Sequence, residues 1–226
     1  MARQNTLTGL ANRYGSDKGD AVLDRHCYTR IYEPLLSPLA GRKARLLELG
    51  VCHPFNRGTP RALASLRTWS EYLGQASEIV GIDVDLSGLD EAARPDNVTL
   101  HQADAGDRDA LKSVVGDDRF DIVIDDASHA APQQQVSLGT LAGSIKPGGC
   151  YCIEDLHWSP PGTARTPPTR HVLLKLLLEG VAVSPMLVDD EARTLERRVD
   201  DIRFYDSLSP RDPLSHGMAL AVIRFR

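Results

Sequence analysis

The chain reads as an α/β domain built on a doubly wound, mostly parallel sheet, and three observations predict it. Five short apolar runs alternate with amphipathic or turn-rich segments. The runs are continuous rather than alternating in polarity, as strands buried on both faces require. Acidic residues gather where those runs end. Alternating strands and helices imply right-handed crossovers and an open sheet.

The runs are "ARLLELG" (44–50), "SEIVGIDVD" (77–85), "NVTLHQAD" (97–104), "RFDIVIDD" (119–126) and "GGCYCIED" (148–155). Between the first two, Leu63, Leu66, Trp69 and Leu73 fall near a 3.6-residue period, and Pro60 suits a first helical turn. "APQQQVSLGTLAGSIKPGG" reads as a helix stopped by Pro-Gly-Gly. Further on, "HVLLKLLLEG" (171–180) predicts a core helix. "DIRFYDSL" and "MALAVIRFR" predict two closing strands joined by a hairpin-like loop, in which Phe204 and Tyr205 pack on the sheet. The segment 157–170 holds Pro160, Pro161, Pro167 and Pro168 and cannot be regular structure, so it predicts a lid or a plain surface loop. No internal repeat is present. The whole of 1–226 reads as one domain, with 1–43 as an N-terminal cap.

With 226 residues, 42% of them hydrophobic and 25% charged, the chain can bury one substantial core. A net charge of −5 with scattered basic residues argues against nucleic acid as a partner. No apolar run reaches membrane-spanning length and the N-terminus has no signal-peptide core, so neither a membrane nor secretion is expected, and the cytoplasm is. Cys150 and Cys152 alternate on one strand and share a face without disulfide geometry. Cys27 beside His26 and Cys52 beside His53 lack the spacing of a zinc site. Reduced thiols are the expectation.

In open α/β sheets ligands bind beyond the carboxyl ends of the strands. The first strand supplies Glu48 and Gly50, the latter allowing close approach to the backbone. Asp83 ends the second strand where a carboxylate accepts both hydroxyls of a ribose. Asp104 follows the third, placed to receive an amino group such as that of adenine. Together these predict an adenosyl ligand. Asp125, Asp126 and His129 then end the fourth strand, and Glu154 and Asp155 the fifth. Neighbouring strands lie about 4.8 Å apart, so these acids can converge on one cation. All-oxygen ligation with open positions suits Mg²⁺. Two bland readings stay open: Asp125 and Asp126 as helix caps, and His129 as an ordinary surface histidine.

"LLELG", "GIDVD", "QADAGD" and "FDIVIDDASH" resemble the successive motifs of class I S-adenosylmethionine-dependent methyltransferases. "NRYGSDKG", "YTRIYEPLL", "DDASH", "IEDLH" and "FYDSL" resemble, more narrowly, the metal-dependent sugar O-methyltransferases of natural-product pathways. The likeness covers nearly the whole chain. It implies a Rossmann-like seven-stranded sheet with an antiparallel C-terminal strand. It also implies S-adenosylmethionine and Mg²⁺ as cofactors and a glycosylated small molecule as acceptor, as in antibiotic biosynthesis. A homo-oligomer is compatible with it. By position the metal ligands are Asp126, Glu154 and Asp155, and the general base is His129. Tyr14, Ser16 or Lys18 falls near the cofactor's carboxylate, and Gln102 and Asp125 join Glu48, Gly50, Asp83 and Asp104 as cofactor residues. His157 is a secondary candidate for acceptor contact. The glycine loop departs from the pattern: it reads "ELGVCHPFNRGTP", with Cys52 and His53 where the second glycine is expected and Gly58 nearby. A metal enzyme of the same fold with non-methylating chemistry, a catechol O-methyltransferase and a noncatalytic binding subunit are the competing functions. The retained acidic motifs disfavour the last.

Overall fold

The computed structural model describes residues 6–21, 26–52, 54–59, 61–160, 166–209 and 217–226. Strands β1 (Arg45–Leu49), β2 (Glu78–Asp83), β3 (Val98–Gln102), β4 (Phe120–Asp125), β5 (Ile145–Ile153), β6 (Val199–Tyr205) and β7 (Leu220–Phe225) form a seven-stranded sheet in the order β3-β2-β1-β4-β5-β7-β6. The first five pair in parallel, and β7 is antiparallel to both its neighbours. The order reverses between β1 and β4, so the loops leaving those two strands diverge and open a crevice.

Each strand feeds both layers because its side chains alternate. On β1, β4 and β5, Leu46, Ile122, Ile124, Cys150 and Cys152 enter one core with α1 (Leu7–Tyr14), α2 (Thr29–Leu36) and α3 (Ala64–Leu73). Leu47, Val123, Tyr151 and Ile153 enter the other, with α4 (Arg108–Val115), α5 (Ala131–Leu141), α6 (Thr169–Glu179) and α7 (Asp189–Arg198). Cys150 and Cys152 share a face as the spacing requires, and none of the four cysteines is in a disulfide. No described helix is long and apolar enough to cross a membrane.

Local chemistry explains the element ends. Thr6 caps α1 through a bond from the Gly9 amide, and Gly15 closes it in the left-handed region at φ 82°. Asp107 caps α4, accepting from the Asp109 and Ala110 amides. The sequence placed three features differently. Helix α3 starts at Ala64, after Leu63 in a left-handed conformation, so Pro60 stands outside its first turn; Pro60 and His53 lie outside the described residues. The Pro147-Gly148-Gly149 stretch lies inside β5, where the register against β4 shifts, instead of ending a helix. Helix α6 buries Val172, Leu173 and Leu176 but leaves Leu177 and Leu178 exposed, which makes it a surface helix. Helix α7 was not anticipated: its acidic first turn and basic last turn complement the helix dipole, but apolar residues are sparse. Phe204 and Tyr205 do pack against the cores. Most of the loop joining β6 to β7 lies outside the described residues.

Candidate active site

A cavity of about 270 Å³ opens at the switch point, lined among others by Gly50, Cys52, Asp83, Asp126, His129 and Asp155. Gly50 has φ 77°, and a Cβ there would stand 2.6 Å from Cα of Ala127. Its freedom is needed by the neighbouring chain leaving β4 as well as by any ligand. The loop after β1 then folds back on Asp83, whose Oδ2 accepts from the Val51 amide at 3.0 Å and the Cys52 amide at 3.2 Å. Oδ1 of Asp83 accepts from the Asp85 amide at 3.1 Å and faces Arg57 at 3.5 Å. A carboxylate has about four acceptor positions, so room for a ligand hydroxyl remains. Cys52 therefore lines the cavity on a loop already tied to the strand end, and burial pushes its thiol above its ordinary pKa.

Alternation divides the acids of "DDASH". Asp125 turns toward α5 and is fully buried, accepting from Ser137 Oγ at 2.5 Å and the Tyr151 hydroxyl at 2.9 Å. Burial raises its pKa, against those two hydrogen bonds. Asp126 turns the other way, into the cavity. After it His129 adopts a left-handed φ of 58°, and after β5 Asp155 does so at 54°. Side chains in this region cost about 1–3 kcal/mol and persist where their surroundings dictate them. For Asp155 the consequence is direct. Plain alternation would send it to the face opposite Glu154, and the left-handed turn returns it to the same side.

Asp126, His129 and Asp155 each offer a ligand atom within 4.8 Å of the others. Nε2 of His129 lies 3.8 Å from Oδ2 of Asp155, while its Nδ1 is buried without a hydrogen-bond partner among the described residues. Burial works to raise the Asp155 pKa, but His129, His26 and the Tyr28 hydroxyl outweigh it and hold the carboxyl below its ordinary value. Glu154 stands apart from this group. Its Oε2 accepts from the Lys18 ammonium at 2.9 Å and its Oε1 from the Tyr32 hydroxyl at 2.5 Å. Lys18 also pairs with Asp126.

The other residues singled out from the sequence fall as follows. Lys18 lines the cavity, but its ammonium is spent on Asp126 and Glu154. Tyr14 lies outside the lining: its hydroxyl bonds Glu71 and its ring lies under the Arg67 guanidinium at 4.3 Å. Glu48 is buried behind the cavity wall, accepting from Ser65 Oγ at 2.8 Å and Trp69 Nε1 at 3.1 Å. Gln102 is exposed and outside the lining. Asp104 is also outside it, though its Oδ1 accepts at 2.7 Å from Gln133, which does line it. Asp125 is held in the core as described. Of the 157–170 segment, 161–165 lie outside the described residues. Trp158, 48% exposed, meets the His129 ring edge-on at 5.7 Å between centroids.

Sequence reasoning missed Arg57, Arg61 and Ser65 in the lining, and no local spacing marks them. It also gave no role to Tyr28 and Tyr32. Their four-residue spacing at the start of a helix, which puts both on one face, was the available signal.

The chain is 31% identical over 211 residues to the 8-demethyl-8-alpha-L-rhamnosyl tetracenomycin-C 2'-O-methyltransferase of Streptomyces olivaceus, covering 90% of this chain and 53% of that protein. It is 36% identical over 191 residues to the same organism's 3'-O-methyltransferase acting on the 2-methoxy-rhamnosyl compound, covering 79% and 45%. Among solved structures, MycE methyltransferase from the mycinamycin biosynthetic pathway, in complex with Mg and SAH, is 26% identical with a TM-score of 0.72, covering 99% of this chain and 55% of that one. The chain is similar in sequence to sugar O-methyltransferases over most of its own length. The MycE complex that also holds mycinamycin VI shares the fold at a TM-score of 0.74 and 22% identity. No family profile matches the chain. The chain spans about half the length of the sugar O-methyltransferases it matches.

Proposed function

We propose that this chain is an S-adenosylmethionine- and Mg²⁺-dependent O-methyltransferase domain, spanning 1–226, that methylates a sugar hydroxyl of a glycosylated small molecule in antibiotic biosynthesis. One observation carries the reading: a single cavity runs from Gly50 and Asp83 to Asp126, His129 and Asp155. The cofactor end and the acid–base end are therefore continuous. The named activities of the relatives and the Mg and SAH of MycE support it.

The donor set fits a hard divalent cation. Carboxylate oxygens of Asp126 and Asp155 converge beside His129, and Asp126 and Glu154 face a single buried ammonium. Asp126 and Asp155 would hold Mg²⁺, and Glu154 joins them when Lys18 releases it. Bound there, the cation makes a coordinated hydroxyl more acidic. Gly50 and Asp83 bind and orient the methyl donor, with the Asp104–Gln133 pair beside its base. His129 takes the proton of the acceptor hydroxyl, and Asp155 stabilises the imidazolium that results. Trp158 supplies an apolar wall for the acceptor and helps to exclude water. The cytoplasm is the expected compartment.

Calorimetry with S-adenosylhomocysteine, with and without Mg²⁺, followed by transfer of labelled methyl to rhamnosylated and macrolide acceptors, tests the reading. Binding and chelator-sensitive transfer are expected. No binding at millimolar ligand would remove it.

A further inference from the structure

The motif "YTRIYEPLL" has no part in the chemistry above, yet it places two phenols on the acids of "IEDLH". Tyr28 stands at the start of α2 and Tyr32 one turn on, and neither is exposed to solvent. The Tyr28 hydroxyl donates to Oδ1 of Asp155 at 2.8 Å, while Oδ2 of the same carboxylate is the atom facing His129. The two oxygens are thereby distinguished: one is held by the scaffold and the other is presented to the cavity.

The scaffold behind Tyr28 is itself fixed. Its ring stacks on His26 at 4.9 Å between centroids, and Nδ1 of His26 bonds Ser207 Oγ at 2.8 Å. Ser207 belongs to "FYDSL", the second motif without a role. Backbone bonds from His26 to Asp17 (2.9 Å) and from Thr29 to Lys18 (3.0 Å) tie this start of α2 to the turn after α1. Asp155 needs such a hold, because its left-handed backbone gives it no regular strand neighbour to fix its direction.

We infer that Tyr28 is a positioning residue of the cation site, whose hydrogen bond to Oδ1 of Asp155 turns Oδ2 toward the cation and toward His129. The inference rests on the metal-dependent reading above. Hydrogen-bond partners of ligating carboxylates set the ligand's orientation, and their loss typically weakens metal binding about 10–100-fold.

Tyr28→Phe deletes one oxygen and keeps the ring packing. Mn²⁺ binding, followed by electron paramagnetic resonance on wild type and variant, should weaken about 10–100-fold. S-adenosylhomocysteine affinity should stay within about twofold, and kcat should recover at saturating metal. Tyr72→Phe removes the same atom from a buried tyrosine whose hydroxyl bonds Glu33 rather than a proposed ligand, and reports the generic cost of losing a buried phenol. Should Tyr28→Phe melt too early alone, the comparison is made with S-adenosylhomocysteine bound. Unchanged Mn²⁺ affinity in Tyr28→Phe overturns the inference and leaves the metal reading standing. Parallel loss of Mn²⁺ and S-adenosylhomocysteine binding overturns it in favour of a purely structural tyrosine. A wild-type protein that binds no Mn²⁺ overturns both.

Discussion

The ammonium of Lys18 lies 2.9 Å from Oε2 of Glu154, and both side chains are only 2% exposed. The same ammonium pairs with Asp126. Burial alone would lower the Lys18 pKa, but Asp126 and Glu154 outweigh it and hold the pKa well above its ordinary value. Lys18 thus stands as a resident cation against two of the three acids read as metal ligands.

Lys18→Met should therefore be costly when chelator is present. Breaking a buried pair from one side costs about 3–5 kcal/mol, because the remaining charges are left uncompensated. A divalent cation can replace the lost charge, and a ligand that binds only the folded state raises its stability. Thermal melts should show a lower Tm for the variant in chelator and a larger Mn²⁺-induced rise than in wild type. Equal Mn²⁺ shifts would show that the ammonium and the cation do not share these acids.

Asp83 has two duties, and a substitution can separate them. Its oxygens accept from the Val51, Cys52 and Asp85 amides, and it lines the cavity. Asp83→Ala should weaken S-adenosylhomocysteine binding by about 1.5–3 kcal/mol, the range for a hydrogen bond to a charged group. Asp83→Asn keeps the shape but can turn a donor toward the loop amides, so it should weaken binding by less than Ala does. Calorimetry on both variants checks the order, and unchanged affinity in both would take Asp83 out of the cofactor site.

The sheet was legible because buried parallel strands carry continuous apolar runs, such as Leu46-Leu47 and Ile122-Val123-Ile124. The cluster Asp126, His129 and Asp155 was legible in part, because acids at the ends of adjacent strands lie close enough to meet, whereas Glu154, expected beside Asp126 and Asp155, bonds Lys18 and Tyr32. What the runs could not show is direction at the strand ends. Asp125 follows strict alternation into the core, whereas Asp155 escapes it through a left-handed backbone, and a sequence displays neither. Tyr14 and Glu48 were assigned by motif position, and their partners, Glu71 for one and Ser65 with Trp69 for the other, are set by how α1 and α3 pack. Helix α7 escaped notice because its hold comes from charge: Arg108 on α4 bonds Glu191 at 2.8 Å.

With His129 proposed as the base, its removal should spare binding. His129→Ala should lower turnover about 10²–10⁴-fold, the range for a lost general base. S-adenosylhomocysteine affinity should be nearly unchanged, since the residues proposed to hold it are Gly50 and Asp83. Single-turnover methyl transfer at neutral pH makes the comparison when the chemical step limits the rate. Wild-type turnover in the variant would reassign the base.

Glu48 makes stability depend on pH in a direction opposite to most paired acids. Burial raises its pKa from 4.5 to about 7, with the Lys18 ammonium opposing and the Asp126 charge adding to the rise. Its Oε1 has no hydrogen-bond partner among the described residues. Unfolded, the side chain titrates near its ordinary value, so between about pH 4.5 and 7 the folded state binds the extra proton. The protonated form's contribution is complete below the unfolded pKa and is lost as pH rises through the folded one. At 1.36 kcal/mol per pKa unit, the change across that window is about 3 kcal/mol. In chelator, denaturant titrations should show Glu48→Gln losing less stability than wild type as the pH is raised from 5 to 8, because a neutral isostere has no charge to bury. At pH 8 the variant should equal or exceed wild type. A difference between the two proteins that stays constant with pH would mean that Glu48 does not titrate in this window.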